Sequence, residues 1–228
     1  VTIRGCALFC CCNYGDVFLA RQGPNSKRGE PKNMHTLTEA QRLLWETDGY
    51  LHLEGVFDAE KVQFFSNELD RIRALPGYEP DKNPELPIGH YAWLDHAEDL
   101  DPGGFMDRRE LLTYGQEFID LVDASPVFDY IVELMGTNIM LSMTQAIVRK
   151  PTEQFPGYTH TDGGESLRTV RVQPGSPPIA LKAMYLLTDV TEEDRGNLTV
   201  FPGSHLRQIP IDGSRTITPY SPGGAQLM

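Results

Sequence analysis

From Met34 onward, the spacing of apolar and polar residues predicts helices first and strands later. Thr36 and Glu39 have capping-box spacing, and Leu43, Leu44 and Trp45 follow before Gly49, which predicts a helix that stops at the glycine. The stretch YLHLEGVF, residues 50–57, reads as a short strand. Asp58 then caps a helix expected to reach Leu75, with Val62, Phe65, Leu69 and Ile72 at helical spacing and Pro76 and Gly77 ending it. Residues 76–106 are rich in Pro, Gly, Asp and His and predict a long irregular segment; two or three short helices are expected between Arg108 and Met135, closing at Gly136. The period then changes. NIMLSMTQAIVRK reads as one long strand, PIALKAMYLLTDV as another, and GNLTVFPGSH as a short strand running into a turn. Helices before strands suggest an α+β chain whose chemistry sits on antiparallel β structure.

Residues 1–33 show neither helical nor strand periodicity and end in a mixture of Pro, Gly, Lys, Arg and Asn. They are expected to be disordered or foreign to the native protein, with Met34 the true start and residues 34–228 one domain. A length of 228 residues suffices for one sizeable core. The net charge of −12 sets the overall field against nucleic acid and anionic membranes, which favours a soluble protein acting on small molecules or other proteins. All four cysteines, Cys6, Cys10, Cys11 and Cys12, precede the organised region, so no disulfide ties that region to itself; a reducing, cytoplasmic compartment is expected. Their spacing is not that of a structural zinc site, and the apolar run around them is too short for a membrane span.

The chemistry-bearing stretch is GYTHTDGGES, residues 157–166. Residues i and i+2 of an extended chain point to one side, so the imidazole of His160 and the carboxylate of Asp162 can converge on one metal ion. Two histidines and a carboxylate on one face of Fe(II) leave the other face open for a co-substrate and dioxygen. Taken alone, His-x-Asp is more often a surface turn. Its placement between two long strands strengthens the metal reading.

Three segments together, HTDGG, ALKAMYLLTDVTEEDRGNLTVFPGSH and FIDLVDASPVFDYIVELMGTNI, resemble the phytanoyl-CoA dioxygenase family. The resemblance runs from about Leu37 to the end of the chain. It implies a double-stranded β-helix (a cupin-like jelly roll) with N-terminal helices, and Fe(II), 2-oxoglutarate and O2 as cofactor and co-substrates. It also implies that His160 and Asp162 are the first two iron ligands. Halogenating relatives replace the carboxylate with a small residue, so Asp162 points to hydroxylation of a small organic substrate, with succinate and CO2 as co-products. In the family, the third ligand is a histidine on a later strand, followed by an arginine that grips the far carboxylate of 2-oxoglutarate. No histidine follows His205, so both residues are expected beyond Met228, and the sequence reads as lacking its C-terminal strands, a loss that would weaken metal and co-substrate binding and leave this chain inactive by itself.

His205 is the alternative third ligand, against a structural role for the turn that carries it. Gln145 lies near where relatives contact 2-oxoglutarate, and a buried, satisfied amide explains it equally well. Lys182 is an unusual charge in an apolar strand, suited either to an anionic co-substrate or to a solvent-facing sheet side. Met184 stands where many relatives carry tryptophan. His90 and His96 fall in residues 77–105, the segment expected to form a variable substrate lid. Two other readings stay open: a non-catalytic jelly-roll module that binds a small ligand, and a cupin-like metal enzyme using His205.

Overall fold

Thr38 opens the first helix of this computed structural model, which describes residues 3–12, 34–73, 106–149, 151, 172–207 and 224–226. Its hydroxyl accepts from the Gln41 backbone N–H at 3.2 Å, and the Gln41 side chain accepts from the Thr38 N–H at 2.9 Å. The capping box therefore lies two residues later than the Thr36–Glu39 spacing predicts, because Gln41 supplies the returning acceptor. Helix α1 (Glu39–Asp48) ends as expected: Gly49 adopts φ 82° and donates to the Trp45 carbonyl at 3.0 Å.

Residues 50–57 do not form the expected strand. They find no pairing partner among the described residues, and Gly55 turns the chain at φ 67°. Phe57 instead stacks between Phe65 and Tyr185, with ring centroids at 5.5 and 4.5 Å. Asp58 caps helix α2 (Ala59–Arg73) as predicted, its carboxylate accepting from the Lys61 N–H at 2.8 Å. Phe65, Leu69 and Ile72 face the core, with Leu69 and Ile72 fully buried. Burial of each such side chain contributes about 1.5–3 kcal/mol.

Strand β2 (Met106–Arg109) begins where the sequence predicts loop and then helix. A 3-10 turn (Leu111–Thr113) and helices α3 (Gln116–Asp120) and α4 (Val127–Met135) follow, and Gly136 ends α4. The long strand expected from NIMLSMTQAIVRK is split into β3 (Met140–Leu141) and β4 (Thr144–Arg149). Both pieces keep one register against the same neighbour, so the strand is interrupted rather than reset. Strand β5 (Ala180–Leu186) is shorter than its apolar run, and β6 (Thr199–Val200) pairs with β7 (Ala225–Gln226).

Strand β1 (Ile3–Cys12) corrects the expectation that the leader has no regular structure. Lack of alternation in a short apolar run does not exclude a strand, because a strand inside a sheet carries no period-two signature. β1 pairs antiparallel with β4 and β3 along one edge and with β5 along the other. β2 adds to β4, giving a five-stranded antiparallel sheet. The helices cover one face. Phe65, Leu69, Ile72, Met106, Leu111, Phe118, Ile131 and Met135 form a continuous core with Ala146, Val148, Tyr185 and Leu187 of the sheet region. The architecture is α+β, and no helix among the described residues is long and apolar enough to cross a membrane.

Ala7 lies opposite Gln145 on one side and Met184 on the other. Replacing it with proline removes a ladder donor from the middle of the sheet. Ala7→Pro is expected to lower the urea midpoint clearly relative to Ala7→Gly. Equal midpoints would show that the native sheet does without this strand.

Candidate functional site

The sheet has two chemically different faces. Ala146, Val148 and Tyr185 join the helix-side core, so strand alternation turns Gln145, Ile147 and Arg149 of β4, with Lys182, Met184 and Leu186 of β5, to the opposite face. Through Ala7, Gln145 and Met184 share one row across three strands, about 10 Å apart at ordinary strand spacing. Gln145 and Lys182 therefore belong to one surface, and both are engaged in further interactions. Gln145 is 9% exposed, so its amide is held in place. His160 and Asp162 lie outside the described residues, as do His90 and His96.

His205 is placed against the C-terminal end of α1. Its Nε2 lies 3.3 Å from the Glu46 carbonyl, and its ring rests on Gly49, where an added Cβ would come within 2.3 Å of Nδ1. The Gly203 N–H donates to the Asp48 carbonyl at 2.9 Å. The Pro-Gly-Ser-His turn thus satisfies two of the carbonyls that a helix end leaves without partners. With Nε2 donating to that carbonyl, Nδ1 is buried without a hydrogen-bond partner among the described residues. A cleft of about 570 Å³ adjoins this contact, lined by Trp45, Glu133, Leu181, Lys182 and His205 among others.

Glu133 on α4 fixes the other end of α1. It accepts from the Leu37 N–H at 2.7 Å and pairs with Arg42. Residues 189–197, between β5 and β6, are closed by Asn197, whose amide donates to the Val190 carbonyl at 2.7 Å and accepts from the Arg195 N–H at 2.9 Å. Hydrogen bonds from the Thr191 hydroxyl and backbone N–H hold the exposed Asp189 carboxyl below the usual carboxylate range, with Arg195 adding charge. That contribution to the turn is present at neutral pH and is lost as pH falls through the depressed value.

A model of the family described as phytanoyl-CoA dioxygenase (PhyH) matches residues 45–220. The chain belongs to the phytanoyl-CoA dioxygenase family. Similar proteins include the ectoine dioxygenases of Bordetella bronchiseptica and Bordetella parapertussis, each 26% identical over 198 residues. Those alignments cover 86% of this chain and 58% of each relative, so the chain spans little more than half the length of the curated relatives it matches. No solved structure matches the chain.

Phytanoyl-CoA dioxygenases are a family of Fe(II)- and 2-oxoglutarate-dependent oxygenases, and membership implies those cofactors. Among the described residues, no group of three or more His, Cys, Asp or Glu could hold a metal ion. The donor pair His160 and Asp162, a neutral imidazole and a carboxylate, fits Fe(II) by its chemistry. Sequence reasoning missed Glu133. Glu133 carries no local signal, since its partners lie more than ninety residues away.

Gly49→Ala forces a side chain into the left-handed region and into the His205 ring, and is expected to cost about 1–3 kcal/mol. The melting temperature should fall by roughly 2–4 °C per kcal/mol. In the double variant Gly49→Ala/His205→Ala, part of the loss should return, because the clash is gone while the backbone strain remains. Strict additivity would contradict the contact.

Proposed function

We propose that this chain is an Fe(II)- and 2-oxoglutarate-dependent hydroxylase of a small organic substrate, built on a double-stranded β-helix. The observation that carries the reading is the family match across residues 45–220, which contains both His160 and Asp162. The two ectoine dioxygenases support a small-molecule substrate class. The confinement of all cysteines to the first twelve residues suits a cytoplasmic enzyme.

His160 and Asp162 would hold the iron. When bound, iron and 2-oxoglutarate supply the oxidising chemistry, with 2-oxoglutarate converted to succinate and CO2 while one oxygen atom of O2 enters the substrate. Asp162 would supply the carboxylate that halogenating relatives replace with a small residue, which favours hydroxylation. The Gln145 amide would donate to a carboxylate oxygen of 2-oxoglutarate, and the Lys182 ammonium would add positive charge on the same sheet face. Ile147, Met184 and Leu186 give that face apolar walls that exclude water and strengthen those contacts. His205, engaged by the Glu46 carbonyl and seated on Gly49, would serve to dock its turn on α1.

Succinate release in the presence of Fe(II), 2-oxoglutarate and O2 tests the reading. His160→Ala and Asp162→Ala are each expected to lower both Fe(II) affinity and succinate formation at least ~100-fold, at the upper end of what loss of a metal-site residue does. His205→Ala should leave Fe(II) affinity within a few-fold. Loss of metal with His205→Ala would favour a cupin-like site with His205 as ligand. Folded protein that binds 2-oxoglutarate and releases no succinate would favour a binding module.

A further inference from the structure

Among the described residues, strand β1 alone joins the two parts of the main sheet. β4 pairs with β2 and β1, β5 pairs with β1, and β4 and β5 share no ladder. Residues 3–12 therefore fill a slot with backbone partners on both sides, and removing them would leave two open strand edges facing each other. A strand held in this way is recognised through its main chain, as in the addition of a strand to an exposed sheet edge.

The slot is also selective. Against β4 and β3, β1 runs in one unbroken register from Ile3 opposite Arg149 to Cys12 opposite Met140. Against β5 the register shifts between Leu8 and Cys11, where β1 carries one residue more than its neighbour. That bulge sits between two strands of fixed register, and a strand without the extra residue would lose its ladder on one side. Residues 3–12 meet the requirement whichever copy of the chain supplies them.

The length of the connection permits either source. Residues 13–33 join β1 to the helical region, and a stretch of that length can span up to about 70 Å, against about 30 Å for the diameter of a small domain. Pairing between copies would reproduce the ladders already made within one copy, so exchange requires no new interface.

We propose that this chain forms a dimer by strand exchange, in which residues 3–12 of each copy occupy the slot between β4 and β5 of the other. The partner is a second copy of the chain, and the reciprocal arrangement closes the assembly at two. The inference is independent of the hydroxylase reading. It adds that the row from Gln145 to Met184 on each far face is bridged by the backbone of the other copy.

The test uses the full chain, kept reduced throughout so that its cysteines form no disulfide between copies. Held by its own tether, β1 competes at an effective concentration on the order of 1 mM, so exchange is expected when the unfolded chain is refolded near that concentration and not at ~10 µM. Light scattering should then show a dimer for the native chain and for Ala7→Gly, and only monomer for Ala7→Pro, whose strand lacks a ladder donor. A fluorescent peptide of residues 1–12 supplies the strand without a tether. Its anisotropy should rise with the folded Ala7→Pro chain, and it should bind the native chain at least ~10-fold more weakly, because that slot is already filled.

Where Ala7→Pro does not fold, the native chain decides by itself: refolded at high concentration with excess peptide, it should take up the peptide and stay monomeric. Four results overturn the inference: a native chain that remains monomeric after concentrated refolding without peptide, a dimer that persists in Ala7→Pro, a folded Ala7→Pro chain that ignores the peptide, or a peptide that fails to suppress the native dimer.

Discussion

Tyr185 lies flat against Phe57 at 4.5 Å, and Phe57 in turn against Phe65 of α2. This aromatic stack joins the helical layer to the sheet and fixes which way β5 faces. Side chains alternate with a period of two, so a slip of one residue would send Lys182 and Met184 into the helices and Tyr185 out of the core. The stack thus determines the chemistry of the far face as surely as it fills the near one. On β4 the same task falls to Ala146 and Val148, both fully buried, and their burial is what turns Gln145 and Arg149 outward. The far face is the complement of a packing problem solved on the other side.

Helix α1 is held differently. It buries no residue completely, and Leu43 and Leu44 remain 61% and 50% exposed. Hydrophobic burial therefore does little for it, and its position depends on polar contacts at its two ends. Glu133 receives Leu37 and Arg42 near the start, and the Pro-Gly-Ser-His turn receives Glu46 and Asp48 at the finish. Such contacts are individually modest, but they are directional and give an otherwise loosely packed helix one orientation.

Much of this was legible in the sequence where a signal is local. Asp58 and the spacing of Phe65, Leu69 and Ile72 identify α2 and its buried face, and Gly49 marks the end of α1. The alternation in ALKAMYL sets Lys182 apart from its neighbours. What could not be read depends on partners distant in the chain. The strand-like pattern of residues 50–57 was a false signal because Phe57 found a better use between two aromatic rings. Strand β2 was hidden because MDRR is short and, with three charged residues in a row, carries no apolar alternation. The His-x-Asp pair stands out in the sequence for the opposite reason, since two donor side chains two positions apart form a local pattern.

The pairing of β1 carries a consequence for the order of assembly. Cys6 lies opposite both Ala146 and Tyr185, so the strand nearest the start of the chain bridges two strands from its second half. Closing so long a loop brings no reward until both partners exist. During synthesis β1 leaves the ribosome before its partners and must wait while the helices and β4 form, and its second edge is covered only after β5 has emerged. Until then an apolar segment with unpaired backbone stays available to other chains. The central element of the finished sheet is thus the one left longest without its neighbours.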